Sequence, residues 1–315
     1  MPRLRSKSGI KMKREIKNKP ASIRAKLMNI ARAEKIDFDA LLLRYFQEKF
    51  LCRLAISRFS DHFVLKGGFL LICFKIPKSR ATKDIDFLAE QVKNDPAELE
   101  YILGNIADLH CDDGVRFNSL SITSERIKED TDYEGIRLKI DATLGQARKR
   151  LQMDIAFGDI IVPRPKLMEF PTLLEEEPPK VKVYSIESII SEKFEAMIKL
   201  AMVNSRMKDF YDIYTLSITQ NFQVSRLKKA IDSTFQRRKT SIPGDPLVFR
   251  TEFHNDEGRG KQWIAFLRKS RLDLNREFNE IMDRITAFLK PIVIPIKDET
   301  RMDESWDAMT GCWKS

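Results

Sequence analysis

Three aspartates and a pair of glycines are the residues of this chain best suited to act together. Asp84 and Asp86 stand two apart in DIDF. In an extended chain side chains repeat every second residue, so both project from one face while Ile85 and Phe87 pack on the other. If LQMDIAF lies beside that strand, Asp154 supplies a third carboxylate from the same face. Three such anions cannot be desolvated unpaired, at several kcal/mol per ion, unless a cation neutralises them. Mg²⁺ accepts oxygen ligands of this kind and completes its shell with water and substrate phosphates. Upstream, Gly67 and Gly68 follow the apolar run Phe63, Val64, Leu65. Phosphate can approach main chain only where no Cβ intrudes, and a glycine turn opening a helix offers N–H groups to an anion. A lone DxD is usually a solvated turn and a lone GG usually just a turn. In this order they make a metal site beside a phosphate cradle.

A second group of residues lies further along. Lys193 falls in the stripe Ile186, Ile190, Met197, Leu200, where an ammonium is ordinarily excluded. It should meet an anion, a triphosphate being one candidate; a snorkelling lysine or a salt bridge in the neighbourhood of Glu192 and Glu195 is the structural alternative. RMKDFYDIY then sets Arg206, Lys208, Asp209 and Asp212 among Phe210, Tyr211 and Tyr214. Its aromatics suit a core better than a base-stacking platform. Asp209 and Asp212 either complement a helix dipole or orient an acceptor hydroxyl.

These residues need elements to hold them. Apolar spacing over 22–59 predicts two or more helices, followed by a short strand, the glycine turn and a helix start. Alternation predicts strands at 84–87, 115–123, 136–143 and 151–157. The run EEEPPK, Glu175 to Lys180, looks like a linker, and helical spacing dominates beyond it, with a second stripe at Leu274, Phe278, Ile281, Ile285 and Phe288. The expected layout is α+β: a mixed sheet with flanking helices followed by a helical domain. It divides into a basic arm (1–20), a core with N-terminal helices (21–175), a helical domain (176–295) and a tail (296–315).

Composition narrows the function classes. The 315 residues are 43% hydrophobic and 32% charged with only 12 glycines and 13 prolines, which excludes collagen-like and wholly disordered chains. No stretch approaches the ~20 apolar residues of a membrane span, so a cytoplasmic protein is expected. Four scattered cysteines and three unpaired histidines argue against a disulfide framework, a zinc site or a histidine-based triad. Catalysis falls to carboxylates and lysines. The net charge of +10 is concentrated at the start, where residues 1–20 carry eight basic side chains against Glu15 alone. Such an arm attracts polyanions, or simply solubilises the terminus.

LKGGFLL, TKDIDF, YEGIRLKI, LQMDIAFGD, SIESIISEKFEAMI and RMKDFYDIY together resemble the nucleotidyl transferase family of AbiEii/AbiGii toxins. The resemblance starts near NKPASIRAKLMNIARAEKIDF and runs through WIAFLRK, covering most of the chain. It implies a polymerase-β-type nucleotidyltransferase core joined to a helical domain, in a toxin of a toxin–antitoxin or abortive-infection phage-defence module. Carried onto this sequence, Gly67 and Gly68 match the phosphate-cradling glycines, with Lys66 just before them. Asp84 and Asp86 match the metal pair, and Asp154 falls at a third carboxylate. Lys193 matches a lysine expected to hold nucleotide phosphate, and Asp209 the aspartate of a KDxxD motif. Gly-Gly here replaces the Gly-Ser of many nucleotidyltransferases and leaves the backbone alone to bind phosphate.

The expected reaction is Mg²⁺-dependent transfer of NMP from an NTP to an acceptor hydroxyl, with the 3′ end of tRNA or another RNA as acceptor and an antitoxin, encoded nearby, as partner. Arg237, Arg238, Lys239, Arg268, Lys269 and Arg271 suit a phosphate-rich acceptor. A metal-dependent nuclease could use the same acids without a glycine cradle, and a non-catalytic RNA-binding or antitoxin-interacting protein would account for the basic arm equally well.

Overall fold

The structure, a computed structural model, describes residues 18–74, 76, 80, 82–129, 133–293 and 303–315. The chain opens with α1 (Lys19–Glu34) and α2 (Phe38–Ile56), then β1 (Phe63–Lys66) and the short α3 (Gly67–Leu70). After β2 (Asp84–Ala89) and α4 (Pro96–Ala107) come the long strands β3 (Val115–Glu129), β4 (Tyr133–Leu144) and β5 (Ala147–Phe157). The short strands β6 (Lys166–Glu169) and β7 (Lys180–Val183) complete a seven-stranded sheet in the order β3-β4-β5-β2-β1-β7-β6. It is mixed: β2 runs parallel to β5 and β1 parallel to β7, while the other neighbours are antiparallel.

The period of two along β2 decides which face does what. Ile85 and Phe87 are buried, and the Phe87 ring lies 6.5 Å from Phe50 of α2 and 5.8 Å from Phe63. Leu99, Ile102 and Ile106 of α4 are buried in the same core. The alternate residues, Asp84 and Asp86, are half-buried on the opposite face.

That face looks toward α5 (Ile186–Leu200) and α6 (Met207–Thr219). Ser185 caps α5 by accepting from Ser188 N at 3.1 Å. The remaining elements are β8 (Phe222–Gln223), α7 (Val224–Arg237), α8 (Thr251–His254), α9 (Glu257–Lys269), α10 (Phe278–Val293), β9 (Ser305–Asp307) and β10 (Cys312–Lys314). Aromatic rings hold the helices together: Phe194 meets Phe235 and Phe249, and Phe210 meets Phe253 and Phe278. The aromatics of RMKDFYDIY follow the core reading, with Phe210 and Tyr211 both buried.

Several expected boundaries move. The strand β7 pairs with β1, so the sheet continues past the expected break at 175 to Val183. EEEPPK is no free linker: Glu176 pairs with buried Lys49, and Pro179 O accepts from Phe170 N at 2.9 Å. Residues 303–315 of the expected tail build a second sheet, β10-β9-β8, with Trp306 only 1% exposed. Alternation around Ser305–Asp307 is too short to stand out in sequence. Of the basic arm, 1–17 lie outside the described residues, and Lys19 already begins α1 with its Nζ 2.7 Å from Asp112. The helix expected after the glycines is one four-residue turn followed by a 3₁₀ turn at Leu71–Phe74, so its dipole is slight.

Candidate active site

Main-chain register brings the predicted acids together. Lys66 stands opposite Asp86 across β1 and β2, and Asp86 opposite Asp154 across β2 and β5. Gly67 follows Lys66 with φ +68°, a left-handed conformation that glycine adopts without strain. The Asp86 carboxylate occupies the space a side chain there would take: a Cβ on Gly67 would overlap Asp86 Oδ2 and come within 2.6 Å of its Cγ. Gly67 is thus required twice, by its backbone angle and by the acid packed against it. These residues line a cleft of about 350 Å³ that also takes in Gly68, Arg80, Asp84, Asp154, Lys193 and Arg206.

The acids differ in their surroundings. Burial first, and the neighbouring charge of Asp154 second, hold the Asp84 carboxyl above its usual range. Asp154 is gripped by Arg137, across the β4–β5 register, through Nε at 2.9 Å and Nη2 at 2.8 Å, and its pairing raises the Arg137 pKa further. So the expected three-acid metal set is not assembled: among the described residues no three His, Cys, Asp or Glu side chains are arranged to hold a metal. Asp84 and Asp86 fit a divalent cation, as two carboxylate oxygen donors on one face of β2 that both line the cleft. Asp154 has its charge answered by a guanidinium.

Two ion clusters form the walls. On one side Lys193 Nζ lies 2.7 Å from Asp209 Oδ1 and 2.8 Å from Asp212 Oδ2, and Arg206 Nε lies 2.8 Å from Asp209 Oδ2. The anion awaited at Lys193 is thus the aspartate pair of α6. Burial alone would raise both aspartates, but Lys193, with Arg206 beside Asp209 and Arg80 beside Asp212, outweighs it and brings both below the usual carboxylate range. Asp209, 1% exposed, lines the cleft and holds two cations. On the other side Lys66 Nζ lies 2.8 Å from Asp159 and 3.3 Å from Glu192, with Tyr184 beneath it at 5.3 Å. Arg238 joins this cluster through Glu195 at 2.9 Å and Asp159 at 3.4 Å. Arg238 therefore belongs to the cleft wall rather than to a basic outer surface, and Arg237 donates to Gly158 O at 2.7 Å.

Arg80, Arg137, Asp159, Arg238 and Tyr184 complete a site that the sequence marks only by its acids, glycines and Lys193. The FGD turn was the one visible sign of Asp159. Arg80 sits in the polar segment KSRATK, whose spacing carries no period to reveal it.

The fold, a mixed sheet carrying acids on the face turned toward helices, places the chain in the mixed α+β class. By structure it resembles JHP933 from Helicobacter pylori at a TM-score of 0.50 and 16% identity, over 81% of this chain and 92% of that one. A second H. pylori structure, described as a candidate nucleotidyltransferase, aligns at a TM-score of 0.48 and 17% identity over 82% of this chain and 96% of that one. No curated protein matches. The model of the nucleotidyl transferase AbiEii toxin family, type IV toxin–antitoxin system, matches residues 49–284. The chain belongs to that family. Membership implies an NTP substrate and an antitoxin partner. Among the described residues no helix is long and apolar enough to cross a membrane.

Proposed function

We propose that this protein transfers a nucleotidyl group from an NTP, with Mg²⁺, to a hydroxyl of an RNA acceptor such as the 3′ end of tRNA, as the toxin of its toxin–antitoxin pair. The observation that carries the reading is the packing of Asp86 against the bare main chain of Gly67, with Asp84 on the same face. Asp84 and Asp86 would hold the cation, which when bound lowers the pKa of an oxygen it touches and offsets charge on the reacting phosphate. Asp154 and Arg137 fix the neighbouring strand edge. Gly67 leaves room for the Asp86 carboxylate against the main chain, and Lys193, held by Asp209 and Asp212, lines the cleft.

In the reaction the acceptor oxygen forms a bond to the α-phosphorus, the bond from that phosphorus to the bridging oxygen breaks, and pyrophosphate leaves with the electron pair. The hydroxyl proton passes to solvent. The chain's contribution is positioning and charge neutralisation. Lys199 and Lys208, at the cleft rim, suit an acceptor rich in phosphate. We place the division between a sheet domain and a mainly helical domain after Val183, where the last strand of the seven-stranded sheet ends.

The test is incubation with Mg²⁺, each α-labelled NTP in turn and total RNA. Wild-type protein is expected to lengthen one RNA class with one label, and Asp84→Ala or Asp86→Ala to lower incorporation by about 10²-fold or more while keeping the fold. Shortened RNA would select nuclease action instead. Full toxicity of both variants in cells would select a non-catalytic role.

A further inference from the structure

The second glycine of the pair faces a cation. A Cβ on Gly68 would lie 2.7 Å from Arg80 Nη2 and 3.1 Å from Nη1, so the guanidinium fills the space a side chain at 68 would need. Arg80 enters from the segment before β2 and is fixed from behind: its Nε donates to Asp212 Oδ1 and its Nη2 to Asp212 Oδ2, both at 3.0 Å. Asp212 is 0% exposed and also binds Lys193. Arg80 and Lys193 both line the cleft, each with 12% of its side chain exposed, whereas their shared counter-ion lies behind them. Asp212 itself does not line the cleft, whereas Arg80 and Lys193 do, alongside the carboxylates of Asp86 and Asp209.

The planar fork of an arginine suits two oxygens of a phosphate, whereas an ammonium acts as a point charge. Asp212 uses one edge of the fork and leaves Nη1 beside the glycine turn. Asp212 pairs with both Arg80 and Lys193, and Asp209 with both Lys193 and Arg206. Because both aspartates lie below the usual carboxylate range, they stay ionised at neutral pH and hold the cations in place.

We propose that Arg80, oriented by buried Asp212, grips the pyrophosphate portion of the NTP over Gly68, so that it is a binding residue and Asp212 a positioning residue. This rests on the nucleotidyl-transfer reading above. The absence of a side chain at 68 then serves the arginine, which supplies there the hydrogen-bond donors that a backbone alone would lack.

The test uses the full-length protein and a probe free of any base: inorganic pyrophosphate with Mg²⁺, titrated calorimetrically, with inorganic phosphate and the four NTPs alongside. Arg80→Gln is expected to weaken pyrophosphate and NTP binding by about tenfold, and Arg80→Lys, which keeps the charge without the fork, by a smaller factor. In labelled-NTP incorporation Arg80→Lys should raise the KM for NTP with little change in the KM for RNA, a split that a purely structural latch would not produce. If wild type binds pyrophosphate and both foldable variants bind it within twofold as well, the proposal is wrong and nucleotidyl transfer stands. If wild type binds neither pyrophosphate nor any NTP, the transfer reading fails and this proposal with it. Should Arg80→Gln not fold, Arg80→Lys alone decides by the same criterion.

Discussion

Asp84 is ionised at a cost, because burial and the neighbouring Asp154 charge raise its pKa in the folded protein. A carboxyl whose folded pKa lies above its unfolded one weakens the fold as pH rises through that interval, and the handicap remains at neutral pH. Asp84→Asn should therefore raise the melting temperature of cation-free protein at pH 7. Added Mg²⁺ should raise that of wild type and leave the variant nearly unchanged; thermal unfolding with and without Mg²⁺ checks both. Gly67→Ala places a Cβ where the Asp86 carboxylate lies and asks alanine for φ +68°. The backbone strain costs roughly 1–2 kcal/mol, but displacement of Asp86 should lower incorporation about tenfold or more, which activity normalised to folded protein would reveal. At this scale Asp84, Asp86, Gly67 and Lys193 were legible because each breaks a local pattern of alternation, chain freedom or apolar period. Arg80 and Arg137 were not, since their partners Asp212 and Asp154 come from segments 132 and 17 residues away.

The contact between α5 and α6 rests on a buried ionic joint as well as on apolar packing. Asp209 and Asp212 have pKa values below their ordinary 3.8 once Lys193, Arg206 and Arg80 have outweighed burial. Their stabilisation is complete above the unfolded value and is lost as pH falls from about that value through the lower folded ones. Acid unfolding of wild type should steepen below pH ~3.8, and Asp209→Asn should lack part of that slope. Asp209→Asn leaves buried Lys193 with Asp212 as its remaining carboxylate, so it should also lose about 1–3 kcal/mol at pH 7, measured by urea unfolding. The stripe of α5 was readable from its spacing, and Lys193 within it announced an anion. That the anion is a pair on the next helix was not readable, because two aspartates three apart at a helix start look like ordinary dipole complements. The long strands β3 to β5 were also legible from alternation, whereas β6 and β7 are four residues each and offer too few periods.

Across the whole molecule, the chain's last described residues return to its helices. Trp306 packs 4.8 Å from Phe288 and donates from Nε1 to Ser217 O at 2.7 Å, while Trp313 stacks on Phe288 at 5.7 Å. The family match stops at 284, so the strands β9 and β10 lie beyond it while their partner β8 lies within. Trp306→Ala should cost about 3–5 kcal/mol of stability, since it empties a buried site, with a corresponding fall in the urea midpoint. Sequence composition pointed to a basic protein with acids at its centre. It could not show that the cleft sets cations and carboxylates against each other on both walls, because that balance is made by the fold. Nucleotidyl transfer at this site requires Asp84 and Asp86 to hold a cation beside the glycine turn. Calorimetric titration with α,β-methylene analogues of the four ribonucleoside triphosphates, with and without Mg²⁺, tests it most directly. Wild-type protein should bind at least one analogue only when Mg²⁺ is present, and Asp86→Asn should lose that binding. Equal affinity in the folded variant, or binding indifferent to Mg²⁺, would contradict the account.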